Sequence, residues 1–124
     1  MKAESIEFEN SKLYVIFELM EMSLTQFMRK RSKQSLSKLD EQTEIKIIMK
    51  QLLKAMQYMH DELKIMHRDI KPDNIMINLN PLTAKLIDFG TCKDCSVEDR
   101  NHTAYVSTRW YRAPECVLRS HQYS

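Results

Sequence analysis

A charged loop enclosed by apolar residues is the feature that most constrains the fold of this chain. The segment IMHRDIKPDNIMI, residues 65–77, places two Asp, a His, an Arg, a Lys and an Asn between apolar ends. The flanking side chains, such as Ile65 and Met66, are expected to be buried. A charged loop attached at both ends to a core is held at the edge of that core, where binding and catalytic residues are commonly placed.

Composition limits the classes of protein to consider. The chain has 124 residues, 43% of them hydrophobic, which suits one domain with a modest core. The formal net charge is +2, and no apolar run approaches the ~20 residues that span a bilayer. We therefore expect neither nucleic acid nor a membrane as partner. The first residues lack a signal-peptide core, so we expect an intracellular, cytoplasmic protein, with the nucleus and the cilium as alternatives.

Cysteine and glycine usage bear on two further kinds of site. The cysteines, Cys92, Cys95 and Cys116, are odd in number and are expected to be reduced thiols. The first two form a C-x-x-C pair, which leaves a metal or redox role open, although a zinc site needs four ligands and no second pair follows. Gly90 is the only glycine, so the chain contains no phosphate-binding loop of the G-x-G-x-x-G type.

Short periodic runs predict the first elements. Two β-type runs, at residues 6–8 and 13–17, flank the turn-like sequence ENSK and predict a hairpin over about residues 5–18. Ser23 followed by Gln26 resembles a capping box and predicts a short helix that ends in the basic residues 29–31. That basic cluster fits a binding patch or a solvated helix end, and the stabilisation of cations at helix C termini favours the second interpretation.

The strongest helical signal runs from about Asp40 to Leu63. Its apolar residues recur at the i, i+3, i+4, i+7 spacing of a helix with one buried face. They are Ile45, Ile48, Met49, Leu52, Leu53, Met56 and Met59. Two strands are predicted near residues 75–77 and 84–87, joined by a turn over residues 78–83 that contains Pro81. Little periodicity follows over residues 90–111, which indicates a long functional loop.

Three motifs in a fixed order carry a family resemblance. His67-Arg68-Asp69 opens the charged loop, which also holds Lys71 and Asn74, and DFG at 88–90 and APE at 113–115 follow. In this order they resemble the catalytic loop, D-F-G and A-P-E elements of eukaryotic protein kinases. One triplet alone is a weak signal, whereas all three with a strand turn between the first two are not expected by chance.

This resemblance implies an α+β, protein-kinase-like fold, mostly the helical C-terminal lobe, for one partial kinase domain over residues 1–124. Residues 1–20 would be the last strands of the N-terminal lobe and the hinge. Residues 21–124 would be the first half of the C-terminal lobe through A-P-E. By comparison with the family we expect truncation at both ends, with part of the apolar face of the helix at 40–63 exposed.

The resemblance also implies an ATP-dependent Ser/Thr protein kinase with ATP and Mg²⁺ as cofactors. Asp69 would orient the substrate hydroxyl, and Lys71, at a place that resembles Ser/Thr rather than Tyr kinases, would reach the γ-phosphate. Asn74 and Asp88 would hold Mg²⁺, which takes oxygen ligands. Gly90 would let the backbone turn sharply after Asp88.

Two neighbouring sets of residues are interpreted through the same family. The segment LYVIFELM, residues 13–20, resembles the last N-lobe strand and the hinge, although a plain buried strand explains its periodicity equally well. Phe17 would then lie behind the adenine pocket, the backbone of Glu18 and Met20 would bond the adenine edge, and Met76 would form the floor. His67 and Phe89 would be packing residues rather than acids, bases or ligands.

The segment HTAYVSTRWYRAPE, residues 102–115, resembles the T-x-Y…TRWYRAPE segment of mitogen-activated and related kinases, the CMGC group. The details DFGTC and APECVLRS are most similar to the male-germ-cell-associated kinases, in particular their MOK-like branch. An upstream activating kinase would phosphorylate Thr103 and Tyr105, and the added charge would pair with Arg68, Arg109 and Arg112. The resemblance further implies proline-directed phosphorylation of protein substrates.

Two classes of function stay open on the sequence. One is the kinase; the other is a non-catalytic kinase-like fragment that binds a partner through its exposed apolar face. An incomplete gene model would account for the same missing N-lobe elements. Because positioning supplies about 7–11 kcal/mol of a barrier, the isolated chain is expected to bind ATP weakly and to transfer phosphate at little above background.

Overall fold

The computed structural model describes residues 3–34, 38–96 and 109–117. Its strands are β1 (Ala3–Glu9), β2 (Lys12–Phe17), β3 (Met22–Ser23), β4 (Ile65–Met66), β5 (Ile75–Leu79), β6 (Leu82–Leu86) and β7 (Lys93–Asp94). Its α-helices are α1 (Leu24–Arg31), α2 (Lys38–Asp61) and α3 (Pro114–Val117). Single 3₁₀ turns occur at Pro72–Asn74, Phe89–Thr91 and Arg109–Tyr111. This mixture confirms the α+β prediction.

The predicted first hairpin is confirmed as β1 and β2, which pair antiparallel with Ile6 opposite Val15. Asn10 and Ser11 form the two-residue turn with φ of 50° and 59°. A tight hairpin turn that matches the twist of its strands needs positive φ at both central residues, and Asn tolerates it well. Every residue of the two strands is exposed.

Helix α1 begins where the capping box predicted. The N–H of Gln26 donates to Ser23 Oγ at 3.3 Å, and the N–H of Ser23 donates to Gln26 Oε1 at 2.9 Å. At the other end, the Arg31 guanidinium lies 5.0 Å from the ring centroid of Phe27 and forms an ion pair with Glu44 of α2. The basic helix end therefore includes one arginine that joins α1 to α2.

Helix α2 begins and ends two residues before the predicted limits, and only part of its apolar stripe is buried. Ile48, Leu52 and Met59 are buried, whereas Ile45 and Leu53 remain more than half exposed. The β5–β6 hairpin packs on one narrow strip of the helix, so the neighbouring row of Ile45, Met49 and Leu53 lies beyond it. The expected exposure of part of this face is confirmed.

The core lies between α2 and a three-stranded antiparallel sheet of order β3-β5-β6. The side-chain amide of Gln51 bonds the edge of β6, donating to the carbonyl of Leu82 at 3.0 Å and accepting from the N–H of Ala84 at 2.9 Å. The buried core residues are Phe27, Ile48, Leu52, Met59, Ile75, Ile77, Ala84 and Leu86. This packing fixes β5 and β6, and with them the loops at their ends.

Two sequence predictions about the loop regions were wrong in detail. Residues 90–111 are not wholly irregular, because β7 pairs with β4, placing Ile65 opposite Asp94 and Met66 opposite Lys93. Strands of two residues are too short to produce a periodic pattern. Ile65 and Met66 are half-buried rather than buried, since they lie at the margin of the core.

Within the described ranges, no helix is long and apolar enough to cross a bilayer.

Candidate active site

The charged loop between β4 and β5 encloses three buried polar side chains, His67, Asp69 and Asn74. The Asn74 amide nitrogen donates to the carbonyl of Asp69 at 2.9 Å and to its carboxylate Oδ2 at 3.0 Å. The turn at Pro72–Asn74, closed by the N–H of Asn74 to the carbonyl of Lys71 at 2.9 Å, brings the two residues together. A carboxylate is thereby held rigidly at the edge of the core.

Lys71 neutralises that carboxylate. Its Nζ donates to Asp69 Oδ2 at 2.7 Å, and this hydrogen bond is the main reason that the pKa of Lys71 is raised above its usual range. Lys71 therefore carries its charge throughout the neutral pH range. A buried charge is costly unless it is paired and hydrogen-bonded. Asp69 is only 7% exposed, and its bonds to Lys71 and Asn74 offset the cost of burying its charge.

His67 packs as expected. Its Nε2 donates to the carbonyl of Ile87 at 3.0 Å, and its Nδ1 accepts the N–H of Asp69 at 3.3 Å. The ring meets Phe89 edge-on at a centroid distance of 5.2 Å. His67 thus connects the charged loop to Ile87 and Phe89, the residues before and after Asp88.

Arg68 makes a second connection to the same segment. Its Nε donates to the carbonyl of Thr91 at 2.7 Å, and the hydroxyl of Thr91 donates to the carbonyl of His67 at 2.9 Å. Arg68 adopts a left-handed backbone conformation with φ of 65°, which is uncommon for a residue other than glycine. Thr91 was not recognised from the sequence, because a single hydroxyl in a loop gives no pattern.

The sharp turn at the D-F-G motif is made differently from the prediction. The left-handed residue is Asp88 itself, with φ of 62°, and Gly90 has no positive φ. Gly90 instead allows a close approach, since a Cβ there would lie 3.2 Å from Asp88 Oδ1. The same oxygen accepts the N–H of Gly90 at 3.3 Å. The glycine lets the carboxylate fold back over its backbone.

Asp88 is brought beside the charged loop by the β5–β6 hairpin. The N–H of Ile87 donates to the carbonyl of Asn74 at 2.9 Å. Asp88 is the next residue, so this bond holds its backbone near Asn74. Because the Asn74 amide nitrogen binds Asp69, its amide oxygen is the atom left to act as a ligand. That oxygen and the Asp88 carboxylate suit Mg²⁺, which is commonly held by one or two protein oxygens together with phosphates.

An apolar cavity of about 340 Å³ adjoins Asp88, within the size range of small-molecule sites. Its lining residues are Phe17, Leu19, Met20, Met76, Ile87, Asp88 and Phe89. The structure thus brings the predicted Phe17, Met20 and Met76 to one cavity. Leu19, Ile87 and Phe89 were not predicted to line it, although each neighbours a residue of the predicted site. The Glu18 side chain bonds Lys85.

The three cysteines are free thiols, as expected. Cys92 is half-buried, and this burial raises the pKa of its thiol, whereas Cys95 is exposed. No group of three or more His, Cys, Asp or Glu side chains in the described ranges could hold a metal.

We expect iodoacetamide to alkylate Cys95 at least several times faster than Cys92 near pH 7.5, because the thiolate is the nucleophile, Cys92 is the less accessible residue, and burial raises the pKa of its thiol. Peptide mapping of the full-length protein by mass spectrometry over a time course measures both rates. Faster modification of Cys92 would contradict the described burial.

The residues expected to receive and bind phosphate are only partly described. Thr103 and Tyr105 lie outside the described residues. Arg109 is exposed in a 3₁₀ turn, Arg112 is half-buried, and Arg68 is engaged with Thr91 as above. Their pairing with phosphate stays a prediction.

The arrangement defines a class of protein. A buried carboxylate held by a lysine and an asparagine lies beside an apolar cavity, and a second carboxylate stands at the cavity edge. Phosphoryl transfer by kinases depends on this kind of positioned carboxylate with metal-binding oxygens next to a nucleotide pocket. Fold and site are those of a protein kinase catalytic segment.

The chain belongs to the protein kinase family, since the family model for the protein kinase domain matches residues 2–124. It is 40% identical to the human serine/threonine-protein kinase MAK and 38% identical to the rice cyclin-dependent kinase F-3, over the whole chain in both cases. It is also 38% identical to the meiosis induction protein kinase of Saccharomyces cerevisiae, over 96% of the chain.

The predicted place in the male-germ-cell-associated group of Ser/Thr kinases is therefore confirmed, while the MOK-like branch stays a prediction. The chain covers 19% of the MAK relative, 27% of the rice kinase and 20% of the yeast kinase. The division of the chain near residue 20 stays a prediction.

Proposed function

We propose that the protein to which this chain belongs transfers the γ-phosphoryl group of ATP to Ser/Thr hydroxyls of protein substrates. The observation that carries the proposal is the Asp69 carboxylate, buried and bonded at Oδ2 by Lys71 at 2.7 Å and Asn74 at 3.0 Å. Its rigid placement is what phosphoryl transfer needs, because catalysis there is mainly positioning and charge stabilisation.

In this proposal Asp69 accepts a hydrogen bond from the substrate hydroxyl and orients its oxygen for attack. Lys71 stays protonated, and its raised pKa makes it a donor rather than a base. It would bind the γ-phosphate and stabilise charge there as the bond to the leaving phosphate breaks. The proton of the hydroxyl passes towards Asp69.

Asn74 and Asp88 would hold Mg²⁺ through their side-chain oxygens. When bound, the metal supplies positive charge that neutralises the phosphate oxygens. The apolar cavity, whose lining includes Phe17, Met20 and Met76, would hold the adenine ring. The backbone of Glu18 and Met20 would bond the edge of the ring.

Proline-directed specificity is part of the proposal, supported by the resemblance of the Arg109–Arg112 segment to kinases of this group. The experiment incubates full-length protein with radiolabelled ATP, Mg²⁺ and matched peptides that carry either Pro or Ala after the acceptor Ser. We expect at least tenfold greater transfer to the Pro peptide and no transfer when EDTA removes Mg²⁺. Equal labelling of both peptides would refute the specificity, and no labelling of either would refute the activity.

We further propose that an upstream kinase activates the protein at Thr103 and Tyr105, which is supported by the T-x-Y pattern and by Arg109 and Arg112 a few residues further along the chain. Phosphate at these positions would order the segment against Arg side chains. Mass spectrometry of protein purified from its native cells is expected to find one or both residues phosphorylated. A Thr103→Ala, Tyr105→Phe double variant with undiminished activity would contradict the regulatory role.

A partner-binding role is the second candidate. It is favoured by an apolar groove of about 380 Å³ between α1 and α2, lined by residues that include Phe27, Met28, Ile45 and Met49. Exposed apolar surface of this kind marks interaction sites. The activity assay separates the two candidates, because a binding module needs neither ATP nor Asp69.

A further inference from the structure

The segment between the first hairpin and α1, residues 18–21, is held on the β5–β6 hairpin at two points. We propose that Lys85 is a positioning residue for nucleotide binding and acts through its ion pair with Glu18, the first of these points. The inference rests on the proposed function, because it gives Lys85 a task at the ATP site. It concerns the width of the cavity rather than the chemistry of transfer.

The ion pair joins parts of the chain that are far apart in sequence. Lys85 Nζ lies 2.5 Å from both carboxylate oxygens of Glu18, and the two side chains are only 31% and 30% exposed. A cation placed between both oxygens holds the carboxylate more strictly than a contact to one oxygen does. Glu18 is thereby attached to the middle of the catalytic hairpin.

The second attachment is a reciprocal pair of hydrogen bonds. The N–H of Glu21 donates to the side-chain oxygen of Asn78 at 2.9 Å, and the N–H of Leu79 donates to the Glu21 carboxylate at 2.9 Å. Immediately after it, β3 pairs with β5, with Met22 opposite Ile77. The end of the segment near α1 is therefore fixed independently of Lys85.

The strand register shows why these contacts bear on the cavity. Lys85 stands directly opposite Met76 in the antiparallel β5–β6 pair, and opposite residues share one face of a sheet. Ile75 and Ile77 point into the core, so the alternating residues Met76 and Asn78 lie on the other face. Both anchors of the segment thus stand on the hairpin face that carries Met76, a lining residue of the cavity.

In sequence Glu18 stands between Phe17 and Leu19, which also line the cavity. The pair with Lys85 therefore ties this part of the cavity lining to the hairpin that carries Met76. Without this pair, the part of the lining at Phe17 is held less firmly, while the part at Met20 stays attached through Glu21. A site that is not held in its binding geometry binds more weakly, because ordering it then consumes part of the binding free energy.

The experiment measures the dissociation constant of Mg²⁺-ATP by calorimetry, and kcat at saturating ATP, on the full-length protein. The variants are Lys85→Met, Lys85→Glu, Glu18→Lys, and the swap that combines the last two. Lys54→Met is the matched control, since Lys54 is an exposed lysine of α2. Lys85→Met removes the charge at similar length and keeps the test valid if a charge reversal disrupts folding.

We expect each single variant at the pair to weaken ATP binding about fivefold, or ~1 kcal/mol, and Lys85→Met to keep kcat at saturating ATP within about twofold of the wild type. The swap should return the dissociation constant to within about twofold, and Lys54→Met should not change it. Rescue by the swap would show that the ion pair itself supports ATP binding. If Lys85 attracted phosphate directly, a glutamate at its position could not take over that role.

Three results would overturn the inference. Unchanged ATP affinity in Lys85→Met, with a wild type that binds ATP, would overturn this inference and leave the proposed function intact. A swap as weak as the single variants, or a parallel loss of kcat and affinity, would mean that Lys85 acts by its own charge or only supports the fold. A wild-type protein that binds no ATP would overturn both proposals together.

Discussion

Replacing Asp69 with Asn is expected to lower kcat of the full-length protein by about a hundredfold to ten-thousandfold, the usual contribution of a positioned acid–base group. The substitution preserves shape but removes the charge that Lys71 and Asn74 hold in place. The amide also cannot accept the proton of the substrate hydroxyl. The KM for ATP should change little, because Asp69 does not line the apolar cavity. Steady-state kinetics with a peptide substrate measures both constants.

Asp73→Asn is the matched control for this prediction. Asp73 is exposed in the same turn, and its side chain has no place in the proposed chemistry. The control variant should keep kcat within about twofold of the wild type. Activity in Asp69→Asn equal to that of the control would remove the main support for the proposed role of the carboxylate, and with it the kinase mechanism described above.

The second large effect is expected on stability. Ile77 is fully buried at the centre of the sheet, with an exposed fraction of 0%. Its neighbours across the strands are Met22 and Ala84. Truncation leaves a cavity on the buried face of the sheet, where the small Ala84 side chain cannot fill it. Ile77→Ala should lower the free energy of unfolding by about 2–5 kcal/mol, the range for large-to-small changes in cores.

Urea unfolding of the full-length protein, followed through the transition of its kinase domain, measures this decrease in the free energy of unfolding. Lys46→Ala, an exposed position on α2, serves as the surface control and should stay within about 0.5 kcal/mol of the wild type. An Ile77→Ala loss no larger than that of the control would mean that the β5–β6 hairpin is not part of the cooperative core. The position of Asp88 relative to Asn74 would then need another explanation.

Local sequence signals predicted the elements whose formation depends on near neighbours. The capping box at Ser23 and Gln26 is complete within one helical turn, and the structure shows both of its hydrogen bonds. The first hairpin follows from two β-type runs around a turn that accepts positive φ. The motif residues Asp69 and Asn74 were recognisable because they lie close together in one loop.

The burial of α2 shows where the pattern was insufficient. Ile45 and Ile48 have the same chemistry and the same helical spacing, yet 54% of Ile45 is exposed and only 5% of Ile48. The periodicity identified an apolar face, but the width of the buried strip depends on what packs against it. That partner, the β5–β6 hairpin, begins at Ile75, well after the end of α2. The helical pattern by itself therefore does not show which side of the stripe the hairpin covers.

By itself the sequence determined the family motifs, the order of most elements and the chemistry available at each site position, because these are properties of adjacent residues. The tertiary structure decided which residues meet. Arg68 reaches Thr91, and Lys85 reaches Glu18 across 67 positions; the left-handed turn lies at Asp88 rather than at Gly90. Such contacts depend on the register of the hairpin and on packing around it, so long-range geometry alone sets the cavity and its anchors.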